Sequence, residues 1–392
     1  MSNQDVSVKW PAKFNELPKD IFNRPDVFER ELERIFYGPE WHPVGHHSEI
    51  PNKGDFKTFT VGHRPVMMVR GENDEVRVFL NSCPHRGTTL ENCARGTKKR
   101  FECPYHRWSF YVDGRLIGVP GIEDFPEDFK KEDHGLKTLR SDNAFGVEFI
   151  TFSPDAPPLK EYLGEVYDHI GSICCGDGRL KLIGYQKVRY ATNWKEYNDN
   201  EGYHGPLLHT AFRILGLAGT PGFQMMTKYA HKVNTSTLNE AGDSKFLSEP
   251  VILTSRDPDR EPRTQVVSLF PMTLFVKHLD VINLRFAFPL SPDETEVHYA
   301  YFSHEDDSED LLKHRVHQSS NLIGPSGLIS LEDGAVFSRI HTGSYSGDTA
   351  AFQKGVTGEI EAPYELGKGE EAGNLIRWER YRKIMGFERV QQ

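Results

Sequence analysis

The chain has 392 residues, 37% hydrophobic and 27% charged, enough for two or three domains with cores of their own and no need of disulfide staples. Asp and Glu (57) outnumber Lys and Arg (47), giving a formal charge of −10, a field that argues against nucleic acid as the main partner. No apolar run approaches the ~20 residues of a membrane span, and Met1–Trp10 lacks the basic-then-apolar pattern of a signal peptide, so a cytoplasmic protein with no membrane partner is expected.

Residues 26–36 read as a helix, started by Pro25 and Asp26, with Phe28, Leu32, Ile35 and Phe36 on one stripe. From about 55 to 120 the texture changes to short strands. These are 56–61, 65–70 and 76–80, then a hairpin of 108–112 and 115–119 around Asp113-Gly114. This is a small all-β module. A second module begins near 156, after Pro154, Pro157 and Pro158. There 185–192 reads as a strand that runs into a helix near Asn193. Ile282, Leu284, Phe286 and Phe288 share one face of a strand over 281–288, and Val297, Tyr299 and Tyr301 one face of another over 295–301. Helices are predicted near 308–322, 330–340 and 373–385, and a long Gly-, Ser- and Thr-rich loop over 343–372. Strand runs followed by helix runs predict an α+β fold built on an antiparallel sheet.

Five cysteines, two of them adjacent (Cys174 and Cys175), make a poor disulfide framework and point to a reducing compartment and metal chemistry. Residues 83–87 read Cys-Pro-His-Arg-Gly and 103–108 read Cys-Pro-Tyr-His-Arg-Trp. The pattern is Cys-x-His, seventeen residues, then Cys-x2-His. Two thiolates and two imidazoles in this order suit a Rieske-type [2Fe–2S] centre, with Cys83 and Cys103 on one iron and His85 and His106 on the other. A Cys2His2 zinc site is the alternative, although its usual Cys-Cys and His-His spacings are missing. Each pair is expected at the tip of a β-hairpin loop, stiffened by Pro84 or Pro104. Cys93 reads as a bystander.

Residues 193–209 read Asn-Trp-Lys-Glu-Tyr-Asn-Asp-Asn-Glu-Gly-Tyr-His-Gly-Pro-Leu-Leu-His. His204 and His209 are five apart, a turn of about 500° on a regular helix, so the two would not share a face. Gly205-Pro206 breaks or kinks the helix between them and re-aims the second imidazole. With one carboxylate, two His make a facial triad that leaves iron positions open for O2. Asp333, in Leu331-Glu332-Asp333-Gly334-Ala335, is the third candidate ligand. Taken alone, such a His pair reads equally as packed or surface histidines, and Asp333 as a helix cap.

On the two cluster motifs, the run Asn193-Trp194-Lys195, the His204/His209 pair and Glu332-Asp333, the chain resembles the catalytic α subunit of a Rieske non-haem iron oxygenase over nearly its whole length. This is the aromatic-ring-hydroxylating oxygenase family. The resemblance implies an N-terminal all-β Rieske iron–sulfur domain plus a helix-grip catalytic domain with an antiparallel sheet. Residues 1–42 would form a helical arm packing on the catalytic domain, 43–155 the Rieske domain and 156–392 the catalytic domain. It implies that His204, His209 and Asp333 bind the mononuclear Fe(II). In the family a carboxylate three residues before the first His, commonly Asp, bridges it to a cluster His of the neighbouring subunit. Here that residue is Glu201, as in relatives that oxidise quaternary or methylated amines. Glu201 would link His204 to His106 of the partner subunit, with Asp199 as the alternative and a solvated helix residue as the plain reading.

Respiratory-chain Rieske proteins carry an extra Cys in each loop, where this chain has Thr88 and Tyr105. Gly is common in the family at the place of Arg107. With no Gly-x-Gly-x-x-Gly fingerprint in the chain, electrons from NAD(P)H are expected through a separate ferredoxin and/or reductase. Arg86, Arg95, Lys98, Lys99, Arg100 and Arg107 offer a docking patch. A homotrimer, with or without a small β subunit, is implied. The expected function is a terminal oxygenase that uses O2 to hydroxylate an aromatic or other small organic substrate. Its rivals are a monooxygenase that cleaves a C–N bond by hydroxylating an N-methyl or aliphatic carbon, and a Rieske electron carrier with no oxygenase site. Phe212, Leu215, Leu217, Phe223, Phe270, Met272 and Phe286 are candidate pocket linings and equally plain core.

Overall fold

β-branched and aromatic residues over 56–80, broken at Gly62, Gly71 and Asn73-Asp74, make short strands. The computed structural model describes residues 6–199, 220–237, 247–257, 263–365 and 370–391. The chain divides into a unit of residues 37–159 and a unit of residues 1–36 with 160–392.

In the smaller unit the strands Val76–Leu80, Arg64–Arg70, Asp55–Val61 and Arg95–Thr97 form one antiparallel sheet in that order. Arg100–Glu102, Ser109–Tyr111 and Leu116–Gly118 form a second. Phe56, Met67, Val69 and Phe79 of the first pack with Phe101, Phe110 and Leu116 of the second in a single core that includes Cys83 and Cys103. The expected turn at Asp113-Gly114 is present. Gly114 has φ +89°, and a Cβ there would stand 2.5 Å from Cε1 of Phe79, so the turn is pressed onto the core and admits no side chain. One expectation is corrected. The second motif loop joins the paired strands Arg100–Glu102 and Ser109–Tyr111 and is a hairpin. The first runs between Val76–Leu80 and Arg95–Thr97, which do not pair with each other, because Arg64–Arg70 and Asp55–Val61 lie between them.

The larger unit is built on an eight-stranded antiparallel sheet of β1 (Leu180–Tyr190), β2 (Thr220–Met226), β3 (Lys232–Thr237), β4 (Arg263–Leu269), β5 (Thr273–His278), β6 (Val281–Ser291), β7 (Glu294–His304) and β8 (Tyr364–Glu365). Their order across the sheet is β1-β7-β6-β5-β4-β3-β2-β8. The expected strands at 185–192, 281–288 and 295–301 correspond to β1, β6 and β7, each longer than the apolar alternation. β2 to β5 are not signalled by it. The loop expected over 343–372 also holds β8 and the short strand Thr349–Ala351, which pairs with Glu16–Pro18. Their two or three residues are too few to show a period. Tyr190, Val276, Val281, Val297, Tyr299 and Tyr301 line one sheet face and pack with Tyr197, Ile329 and Phe337. The expected helices are Glu309–Gln318, Ser330–Ser344 and Ala372–Met385. Phe270, Met272 and Phe286 are buried; Phe212, Leu215 and Leu217 lie outside the described residues.

The predicted N-terminal helix forms as Pro25–Glu31 and continues as a π-helical turn, Leu32–Phe36. It ends on Glu31, which is fully buried. Trp194 Nε1 donates to Glu31 Oε2 at 2.7 Å, Lys195 Nζ stands 2.6 Å from Oε1, and the Tyr381 hydroxyl donates to the same Oε1. One carboxylate thereby joins the N-terminal helix, the helix Trp194–Asp199 and the helix Ala372–Met385. Asn193 starts the second of these. Its Oδ1 accepts from Lys195 N at 3.0 Å, and its Nδ2 donates to the Phe22 and Pro292 carbonyls. The Asn-Trp-Lys run is thus a structural joint. Glu31→Leu strands the Lys195 cation in the core and costs about 3–5 kcal/mol, measured by denaturant unfolding, whereas adding Lys195→Met to that variant restores most of the loss.

Candidate metal centres

The two motif loops share one backbone frame. In the first, Cys83 N donates to the Thr88 carbonyl at 2.8 Å and Gly87 N donates back to the Cys83 carbonyl at 2.8 Å. In the second, Cys103 N donates to the Trp108 carbonyl at 2.8 Å and Arg107 N to the Cys103 carbonyl at 3.0 Å. The fourth residue after each Cys is left-handed, Gly87 at φ +75° and Arg107 at φ +63°. That conformation suits glycine and explains why Gly is common in the family where Arg107 stands.

This frame sets the donors in two pairs. Cys83 and Cys103 are buried free thiols whose side chains interact. Burial pushes the Cys83 thiol up and the Cys103 thiol adds to the effect, while the His85 and Arg86 N–H groups donate to its sulfur and oppose them. The His85 and His106 rings lie 4.7 Å apart between centroids. His85 stacks on Trp108 at 4.8 Å with an interplanar angle of 1°. His106 Nδ1 is buried with no hydrogen-bond partner among the described residues, an orphan nitrogen of the kind a metal satisfies. Among the described residues no group of three or more His, Cys, Asp or Glu side chains is placed to hold one metal ion. A thiol pair beside an imidazole pair is the donor set of a [2Fe–2S] Rieske cluster, and the residues fit that group. Cys93 is exposed. The basic neighbourhood is partly neutralised: Arg107 pairs with Glu102 at 2.8 Å, and Lys98 with Glu91.

Of the second set, Glu201, His204 and His209 lie outside the described residues. Asp333 lies in the first turn of the helix Ser330–Ser344 and is half-buried. Beside it, a Cβ on Gly334 would stand 3.0 Å from Cε1 of Tyr190. Burial, then Tyr299 and then the charge of Asp333 push the Tyr190 phenol up, against Arg285. The helix Trp194–Asp199 leads into the stretch that contains Glu201 and the histidines, and its end is tethered. Arg377 Nη1 donates to the Asn198 carbonyl and Asn374 Nδ2 to the Asp199 carbonyl, both at 2.9 Å. Trp378 Nε1 donates to Asp199 Oδ1 at 2.9 Å. Burial pushes the Asp199 carboxyl up to about 6, with Arg377 opposing.

Residues 40–137 match the family model of the Rieske [2Fe–2S] domain, and residues 178–367 that of the ring-hydroxylating alpha subunit catalytic domain. The large oxygenase component of salicylate 5-hydroxylase from Ralstonia sp. is 32% identical over a gapped alignment of 359 positions that covers 84% of this chain and 85% of that protein. A terminal oxygenase alpha subunit of terephthalate 1,2-dioxygenase from Comamonas sp. is 31% identical over a gapped alignment of 424 positions that covers 98% of this chain and 99% of that one. The chain belongs to the ring-hydroxylating oxygenase family of alpha subunits. Two solved structures share its fold. Naphthalene 1,2-dioxygenase from Rhodococcus sp. has a TM-score of 0.81 at 24% identity, covering 94% of each chain. A quaternary ammonium Rieske monooxygenase has a TM-score of 0.77 at 22% identity, covering 97% of this chain and all (100%) of that one.

The chain is therefore a terminal oxygenase component with a Rieske cluster and a mononuclear iron, and it works with a separate reductase or ferredoxin in a multimer. No described helix is long and apolar enough to cross a membrane.

Two features around the helix of Asp333 carry no motif and were missed in the sequence. The first is a set of polar residues on the sheet face that packs with the Asp333 helix. Its sequence trace is Asn283 and Arg285, two apart in a strand whose other residues are mostly apolar. The second is a clamp. His341 Nδ1 lies 2.9 Å from Glu196 Oε2 and its Nε2 3.0 Å from Asp293 Oδ1. Glu196 also accepts from Thr192 Oγ1 at 2.8 Å and Asn193 N at 3.0 Å. His341 thus holds the helix of Asp333 to the helix Trp194–Asp199.

Glu196 first, and then Asp293, hold the His341 imidazole above its ordinary 6.5. A pKa raised on folding gives stability that is complete below the unfolded value and is lost as pH rises through the folded one. Thermal melts from about pH 6 to about pH 9 therefore show the oxygenase weakening on the alkaline side. His341→Gln is less stable by about 1–3 kcal/mol at the acid end and has a flatter profile.

Proposed function

We propose that this oxygenase hydroxylates an aromatic ring. In this reading Cys83 and Cys103 hold one cluster iron, His85 and His106 the other, and His204, His209 and Asp333 the mononuclear iron. The paired donors in twin loops carry the cluster assignment. Relatives named for salicylate and terephthalate, aligned over most or nearly all of the chain, carry the choice of an aromatic substrate. When bound, the cluster supplies single electrons and the mononuclear iron supplies oxygen activation.

The protein's own part is placement. The twin loops fix the imidazole pair, and Trp108 covers one face of His85. The His341 clamp sets the helix of Asp333, and the tethers at Asn198 and Asp199 fix where the stretch with the histidines begins. Glu201 links His204 to His106 of the partner subunit in a head-to-tail trimer. The Asp199 carboxylate already accepts from Trp378 within its own unit, which favours Glu201 for that role. Free cysteines at all five positions suit a cytoplasmic setting.

Glu201 in place of Asp supports a second reading, oxidation of a carbon attached to nitrogen. Products separate the two, a phenol or cis-diol against an aldehyde plus an amine.

His204→Ala and Asp333→Asn are expected to keep the Rieske absorption and EPR signals, to fall from about three irons per chain to about two, and to lose hydroxylation by about 100-fold or more. Cys83→Ser loses the Rieske signals instead. Undiminished turnover in His204→Ala overturns the assignment.

A further inference from the structure

We propose that Trp108 and the rings behind it are the inlet by which single electrons reach the Rieske cluster, and that the surface above them receives a one-electron carrier protein with a basic face. This rests on the reading of Cys83, His85, Cys103 and His106 as the cluster donors, and of His106 as the imidazole turned to the partner subunit.

With His106 committed to delivery, His85 is left for supply. One face of His85 is covered by Trp108, parallel to it at 4.8 Å, and Trp108 is itself buried. The contacts do not stop at the indole. His134 and Phe129 meet it edge-on at 5.9 and 6.0 Å, and Phe125 lies at 6.2 Å. Phe129 also stacks on His134 at 4.6 Å with an interplanar angle of 12° and lies 4.7 Å from Phe125. These centroid distances are those of rings in contact. Phe125, Phe129 and His134 are only half-buried. An unbroken series of ring contacts therefore runs from a cluster ligand to solvent. Electron tunnelling falls off steeply across gaps between atoms, and touching π systems bridge such gaps better than water does.

The outer end has the anatomy of a protein contact. Ile122, in the same segment, is 43% exposed, and an apolar patch with a polar rim marks an interaction surface. Glu123, Asp124, Glu127, Asp128, Glu132 and Asp133 are all exposed there, against Lys130 and Lys131. A rim of one prevailing sign steers a partner of the other. Arg86, from the basic neighbourhood, lies on the delivery side: its guanidinium is 6.0 Å from the Tyr105 ring, which is 3.8 Å from that of His106. In the step itself the carrier is oxidised by one electron and one cluster iron is reduced. No bond forms or breaks in Trp108.

The test uses the iron-loaded, cluster-bearing enzyme, reduced with dithionite and freed of the excess. It is mixed in stopped flow with cytochrome c, a small one-electron acceptor with a basic face. The same contacts couple the two centres in either direction, so oxidation of the cluster reads the inlet. Wild type is expected to react quickly and to slow as salt rises. Glu127→Lys with Asp128→Lys slows the reaction about 10-fold at low salt and flattens the salt dependence. Phe129→Leu with His134→Leu also slows it about 10-fold, with iron content and the Rieske EPR spectrum retained. Trp108→Leu slows it further, and Trp108→Phe restores part of the rate. Cluster reduction by a reconstituted reductase follows the same order of variants. If Trp108→Leu does not fold, the Phe129 and His134 pair decides. Rates within about threefold of wild type in that pair, with the Rieske spectrum present, overturn the inlet. So does slowing only in Lys99→Glu with Arg100→Glu, which places docking on the basic side. A changed oligomer size in the Glu127 and Asp128 variant, with electron exchange unchanged, assigns the surface to a second copy of the chain and overturns it too. Wild type with no one-electron Rieske signal on dithionite titration overturns the cluster reading itself.

Discussion

The buried carboxylate of Glu31 is the constraint on which the larger unit depends. An isolated charge in a protein interior is prohibitively costly, and this one survives because an indole N–H, a phenol and an ammonium surround it. Its partners come from three helices far apart in sequence, and they can meet only if all three dock at once. From that joint the order spreads outward. Asn193 starts the helix that Glu31 grips, the Ala372–Met385 helix holds that helix's end through Arg377 and Trp378, and His341 ties in the helix of Asp333. The helix that carries Asp333 is thus tied through His341 to the same joint.

The smaller unit solves its problem by repetition. Two loops from different strand contexts adopt the same hydrogen-bonded turn, so two thiols and two imidazoles arrive as pairs without any contact between distant helices. Arg107 accepts a left-handed backbone that glycine would adopt without strain. Its pairing with Glu102 also removes charge from the patch that the sequence presents as strongly basic.

Much of this was legible in the residues. The cluster motifs, the Asp113-Gly114 turn and the strands Asp55–Val61 to Val76–Leu80 carry local signals that survive folding. The same holds for β6 and β7, whose two-residue alternation is long enough to read. β2 to β5 were not legible, because residues such as Asn234 and Lys277 interrupt the apolar period and β-structure is set by neighbours across the sheet. The Glu31 joint and the His341 clamp were invisible for a related reason. Each joins residues from separate elements, and a single acid or imidazole reads in sequence as ordinary surface. Only the Trp-Lys run hinted at the joint, and it looked like part of the site.

The period of β6 has one further consequence. Ile282, Leu284 and Phe286 bind one side of the strand into the hydrophobic interior, while Asn283 and Arg285 alternate with them on the other. The odd-numbered side is no freer, because Val281 and Asn283 are also fully buried there. A change at either parity of this strand is therefore felt by packed neighbours and not by water.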